Sequence, residues 1–137
     1  MTSVIKSLQL DQSKFWIDNG ILFCEIRHLD SHRYLNTETL ETYLKAVNTL
    51  CEGKKVPILI DLRNTEGTFS INAAKTLATS LEFHNLIISE AYVVNSLKMK
   101  LLINSYKRIY EPLKPFIIFD NYNDALNYSI EAKNMHN

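Results

Sequence analysis

The sequence predicts one α/β domain with a single mixed, mostly parallel sheet, an N-terminal β-hairpin and then alternating helices and strands. Three observations predict it. The run 56–62 (Val-Pro-Ile-Leu-Ile-Asp-Leu) is almost wholly apolar, rich in Ile and too short to span a membrane, as a central strand covered on both faces would be. Asn19 and Gly20 lie between two strand-like runs, and Asn-Gly favours the positive φ angles of a type I′ hairpin turn. Downstream, amphipathic stretches alternate with short apolar runs, the order of repeated helix-strand units.

Residues 1–12 show no sustained period and are left open between an arm and a weak edge strand, outside a single domain spanning 13–133. With Asn19 and Gly20 as the loop, Ile17 pairs with Leu22, Trp16 with Phe23 and Phe15 with Cys24. Phe15, Ile17, Leu22, Cys24 and Ile26 then form the core face. Trp16 and Phe23 point the other way, either covered by another element or exposed as a candidate interface. A polar connection leads to a helix capped by Asn36 or Thr37 and running to about Glu52, where Gly53 stops it. Its inner stripe is Leu40, Tyr43, Leu44, Val47, Leu50 and Cys51.

The central strand follows, with Pro57 near its start, where a missing N–H costs least. A helix opening at Ser70 buries Ile71, Ala74, Leu77, Ala78 and Leu81 and ends near His84. Residues 91–94 form a short strand, and Ser96 caps a third helix whose inner stripe is Met99, Leu102, Ile103, Tyr106, Ile109 and Tyr110. Lys98, Lys100, Asn104 and Lys107 are placed on its solvent face, and Pro112 ends it. The last strand is 116–119; Asn121 or Asn123 then caps a final helix through Ala125, Leu126 and Ile130, with 134–137 expected to fray.

Bulk composition narrows the function classes. A chain of 137 residues that is 46% hydrophobic can bury a core of its own. Fifteen basic residues balance fifteen acidic ones, so no global positive field exists to gather a nucleic acid or an anionic membrane. The N-terminus has no long apolar stretch with a cleavage site and no later run reaches spanning length, so a cytoplasmic protein without a membrane span is expected. Cys24 and Cys51 are read as buried, reduced packing residues.

In that element order the chain resembles the STAS domains, named for sulfate transporters and anti-sigma-factor antagonists. The SpoIIAA-like, small, free-standing bacterial members are the nearest in pattern. The resemblance covers roughly residues 14–132. It is carried by the hairpin 15–22, the strand 57–63, the run 91–96, and the ending 114–120 with Asp124, Ala125 and Leu126. It implies a STAS-like docking module. In the antagonist branch the central strand leads to an Asp-Ser-x-Gly turn whose serine is phosphorylated, and the matching position here is Ser70. Phe69 stands in place of that motif's aspartate and Asn72 in place of its glycine. Apart from the resemblance, a serine at a helix start is explained by capping, which is worth about 1 kcal/mol.

The remaining candidates each have an ordinary explanation. Cys24, His28, Asp30 and His32 include zinc-type ligands, but a strand followed by a loop does not present them together, and no metal or cofactor is assigned. Asp61 falls at the C-terminal end of the central strand, where open α/β sheets place ligands, with Arg63, Glu66 and His84 as neighbours. It is read first as an acceptor for the following turn, at 64–67. Lys98, Lys100, Lys107 and Arg108 are read as a solvated helix face. With three glycines in all, the chain has no phosphate-binding loop and no nucleophile elbow.

The functional reading is therefore a non-enzymatic protein-interaction module with a protein partner, and a homodimer through Trp16 and Phe23 as candidate assembly. The alternative is a small-molecule or lipid-like ligand held between the sheet and the third helix, lined by Met99, Tyr106 and Tyr110. An enzyme using Asp61 ranks last.

Overall fold

The computed structural model describes residues 6–10, 13–27, 34–65, 68–69, 71–110 and 114–136. Three strands open the chain: β1 (Lys6–Leu10), β2 (Ser13–Asp18) and β3 (Ile21–Glu25). After β4 (Tyr34–Leu35) come α1 (Thr37–Cys51), β5 (Val56–Asp61), β6 (Thr68–Phe69), α2 (Ile71–Thr79) and α3 (Leu81–Leu86). Next are β7 (Ile87–Val93), α4 (Leu97–Ile109), β8 (Phe116–Phe119) and α5 (Tyr122–His136). The main sheet has the order β1-β2-β3-β5-β7-β8, antiparallel through β3 and parallel beyond it, and β4 and β6 form a small parallel pair. From β3 to β8 the parallel strands are laid down in one direction. Crossovers of one hand therefore set their helices on one face of the sheet. Phe15, Cys24 and Ile58 pack there with α1 and α3, and Tyr92 and Val94 with α4. The last helix, α5, covers the opposite face through Ala125, against Phe23, Leu59, Ala91 and Val93.

The hairpin forms with the expected register, Phe15 opposite Cys24, Trp16 opposite Phe23 and Ile17 opposite Leu22. Asn19 (φ 52°) and Gly20 (φ 77°) both adopt the left-handed conformation that a type I′ turn needs. Lys133 on α5 donates from its ammonium to the Asn19 carbonyl and ties the turn to the final helix. A Cβ added at Gly20 would come within 2.7 Å of Lys133 Cε, the flexible end of that side chain. Gly20→Ala is therefore expected to lose about 1–2 kcal/mol, mostly through the backbone rather than the clash. Urea unfolding checks it, and an unchanged midpoint would show that the turn relaxes into another type.

Helix boundaries follow their caps. The Asn36 side chain accepts from Thr39 N–H at 2.8 Å, Ser96 from Met99 N–H at 3.2 Å and Asn121 from Asp124 N–H at 3.1 Å. The C-cap of α1 is Glu52, at φ 50°.

One alternative left open is decided, and four expectations change. Residues 6–10 are an edge strand paired antiparallel to β2, with Leu8 and Leu10 partly buried on the core. The single helix expected after the central strand is two, because Ser80 is extended and its hydroxyl accepts from Phe83 N–H at 3.2 Å, starting a new helix. That restart resets the phase, so Phe83 and Leu86 face the core while Leu81 is 73% exposed. The strand expected at 91–94 is β7, which begins four residues earlier at Ile87. On α4, Lys107 is buried (7% exposed) and Ile109 is exposed, the reverse of the expected stripe. Finally, α5 continues to His136, past the expected start of the tail.

Candidate functional site

The face of the sheet under α1, α2, α3 and α4 does not close completely. An apolar cavity of about 150 Å³ lies between Phe15, Ile58 and Ile60 of the sheet and Val47, Ala74 and Met99 of the helices. Small side chains leave the space, since α2 contributes Ala73 and Ala74 where longer residues would reach the sheet. Three hydroxyls at its wall are engaged by the protein itself. Tyr43 and Ser13 hydroxyls are 2.9 Å apart, Tyr92 donates to Glu90 Oε1 at 2.5 Å, and Thr65 donates to the Ile26 carbonyl at 2.5 Å. The described lining offers few polar partners to a water molecule.

Of the residues assigned to a groove from sequence, Met99 and Tyr106 line the cavity. Tyr110 does not belong to the described lining; its ring packs against Tyr106 at 5.3 Å between centroids. The space also reaches across the sheet to Phe15, Cys24 and α1, well beyond the groove against α4 that the sequence suggested. Periodicity marks which residues face inward, not whether facing side chains meet. The two consecutive alanines of α2 were the available sign.

Behind this cavity lies an ion pair that the sequence reading did not find. Glu90, in the middle of β7, receives Lys107 Nζ at 2.9 Å on both carboxylate oxygens, and Tyr92 on Oε1. Both charged side chains are almost fully buried. The ammonium lies 5.0 Å from the Phe116 ring centroid and 5.4 Å from that of Tyr92. Burial, and then the Glu90 charge, push the Tyr92 hydroxyl well above its ordinary pKa, so it stays protonated and donates. Lys107 was assigned to solvent because lysine usually is. Yet Met99, Ile103, Tyr106 and Lys107 share one helical face, and the strand alternation puts Glu90 with Tyr92 on the facing side of β7.

At the C-terminal end of β5, Asp61 is buried and bound by Arg63. The guanidinium donates to Oδ1 at 2.9 Å and Oδ2 at 2.8 Å, and Arg63 N–H donates to Oδ1 at 3.1 Å. The hydrogen-bonded Asp61 carboxylate is the main cause of the Arg63 pKa lying above its usual value. The same guanidinium sits 5.2 Å from the Tyr122 ring centroid. Asp61 thus accepts from Arg63, the residue just before the 64–67 turn that was expected to supply its donors. His84 is engaged elsewhere, its Nε2–H shared by the carbonyls of Leu77 (3.2 Å) and Ala78 (3.1 Å), where it braces the joint between α2 and α3. Glu66 and Ser70 lie outside the described residues.

Trp16 and Phe23 stack at 5.2 Å with their planes 7° apart, on the sheet face covered by α5. Phe23 is buried and Trp16 half-buried, so of the two alternatives for this pair the structure supplies cover by another element. His28, Asp30 and His32 lie outside the described residues, and among the described residues no group of three potential ligands could hold a metal. Burial pushes the Cys51 thiol up to about 11 and, aided by Cys51, the Cys24 thiol well above its usual value, so both are unreactive at neutral pH. No helix among the described residues is long and apolar enough to cross a membrane.

A search of the curated proteins finds no match. Among solved structures, the chain is similar to an uncharacterized protein of the DUF3478 family from Shewanella loihica PV-4, described as having a SpoIIAA-like fold. The TM-score is 0.57 at 18% identity, over 94% of this chain and 98% of that one. The likeness shows the fold, which is SpoIIAA-like as the sequence resemblance implied. The model of the family described as a domain of unknown function (DUF7793) matches residues 15–133, nearly the whole α/β unit from the hairpin to α5, and the chain belongs to that family.

Proposed function

We propose that this chain is a cytoplasmic, non-enzymatic binding module that holds a small apolar ligand between its sheet and the helices α1, α2 and α4. The observation that carries this reading is the cavity of about 150 Å³ with an apolar wall. Left empty, its apolar wall lacks the packing contacts that an occupant of matching shape would supply. Cavities of about 150 Å³ lined by aliphatic and aromatic side chains stay dry and take benzene-sized molecules. The ligand class is therefore a compact hydrocarbon group with no charge to desolvate.

Thermal unfolding with benzene and toluene as probes tests this. Both are expected to raise the midpoint in proportion to the logarithm of their concentration. Ala74→Leu, which places a larger side chain in the void, is expected to raise ligand-free stability by about 1–2 kcal/mol and to remove the response. A wild-type midpoint indifferent to both probes, or a filled variant that still responds, would overturn the reading.

A second reading, a regulatory module that docks a protein partner, is supported by exposed Leu97, Leu101 and Ile109 on the outer face of α4 and by the SpoIIAA-like fold. Leu97→Asp would weaken such a complex without touching the cavity.

A further inference from the structure

The main sheet ends in two edge strands, β1 and β8. On β8 the direction of each backbone group is fixed by the bonds to β7. Glu90 N–H donates to the Pro115 carbonyl and Val94 N–H to the Phe119 carbonyl, both at 2.9 Å. Residues 115, 117 and 119 therefore turn their backbone groups toward β7, and Phe116, Ile118 and Asp120 turn theirs outward. Pro115, which has no N–H, lies on the β7 side, so the outer edge loses no donor to it. Both faces beside this edge carry uncovered apolar surface. Ile117 is 43% exposed on one, and on the other Leu101, 55% exposed, forms an open groove with Phe116, Asn104 and Arg108.

We propose that β8 pairs antiparallel with β8 of a second copy of this chain about a two-fold axis at Ile117, making one continuous sheet across the dimer. Charge selects the register. The strand and its flanks read Lys114, Pro115, Phe116, Ile117, Ile118, Phe119, Asp120. An axis at Ile117 puts Lys114 of each copy opposite Asp120 of the other, and Phe116 opposite Ile118. This register opposes outward-turned residues with outward-turned residues, as hydrogen-bonded antiparallel pairs require. A slip of the axis to Phe116 or Ile118 keeps the hydrogen bonds but separates the charges. Lysine and proline on an edge commonly discourage pairing. Here the proline faces inward and the lysine meets an opposite charge. The two Ile117 side chains meet on the axis, and the interface is self-complementary.

This inference goes beyond the apolar-ligand reading and does not depend on it; it names an occupant for the docking reading at β8, whose groove adjoins the outer face of α4 at Leu101. Sedimentation equilibrium on the wild-type chain is expected to give a concentration-dependent dimer. Lys114→Glu and Asp120→Lys should each weaken the dimer by about tenfold, since two like-charge pairs then oppose one another. The double variant should restore it to within about threefold. Both substitutions lie on flanking residues outside the core, and circular dichroism verifies that each of the three variants is folded. A monomer throughout, or a dimer that ignores the single reversals, would overturn self-pairing at β8. Loss of partner binding by Leu97→Asp is read separately and reports on α4.

Discussion

Lys107→Met is expected to cost about 3–5 kcal/mol, because the partner it leaves behind is a carboxylate with almost no access to water. Glu90 sits in the middle of a strand flanked by β5 and β8, and Lys107 supplies both of its charge-assisted hydrogen bonds beyond the one from Tyr92. Methionine preserves most of the volume of the lysine stem, so the loss measured is that of the charge. Glu90→Gln alone leaves the ammonium buried among the Phe116, Tyr92 and Tyr106 rings and is expected to be almost as damaging. The pair replaced together, Glu90→Gln with Lys107→Met, keeps an acceptor for the Tyr92 hydroxyl and removes both charges. That variant should recover most of the loss, since a buried pair often does no better than a neutral replacement of similar shape. Urea unfolding of the four proteins closes a double-mutant cycle. Single losses below about 1 kcal/mol would mean that water reaches the pair.

The same residues show where sequence reasoning succeeds and where it stops. The hairpin register, the caps at Asn36 and Ser96 and the strand 116–119 were legible because each is decided within a few neighbouring residues. Asn19 and Gly20 select their own turn, and the turn sets the pairing. The break at Ser80 was hidden because the apolar spacing runs through it, and only the new cap shows that the phase restarts. Glu90 was hidden for a different reason. Taken alone, a carboxylate between Ser89 and Ala91 argues against a buried strand, and a lysine on α4 argues for solvent. Each is tolerated inside because the other is there, and the two are 17 residues apart in sequence. The cavity is harder still, since it is a property of how four helices and a sheet fail to meet. Of its wall, Met99 and Tyr106 could be named from the sequence, but its extent and volume could not.

Phe15→Ala tests that volume directly and is expected to lose about 3–5 kcal/mol. Phe15 is buried on β2, its ring 5.0 Å from that of Tyr43 on α1, and it forms part of the cavity wall. Two effects oppose each other. One side of the ring already faces empty space, so fewer contacts disappear than in a filled core. Against that, the space vacated joins an existing void, and the cost of a cavity grows with its volume by about 24 cal/mol per Å³. The second effect should win, because the sheet and α1 are held apart by Leu22, Val47 and Leu50 and cannot collapse into the gap. The enlarged site should then accept probes larger than toluene, such as naphthalene, and these should return part of the lost stability to the variant while leaving the wild type unmoved. A loss below about 2 kcal/mol with no such rescue would mean that the helices do close over the site. In that event the space beneath α2 is a packing fluctuation, and the apolar-ligand reading falls with it.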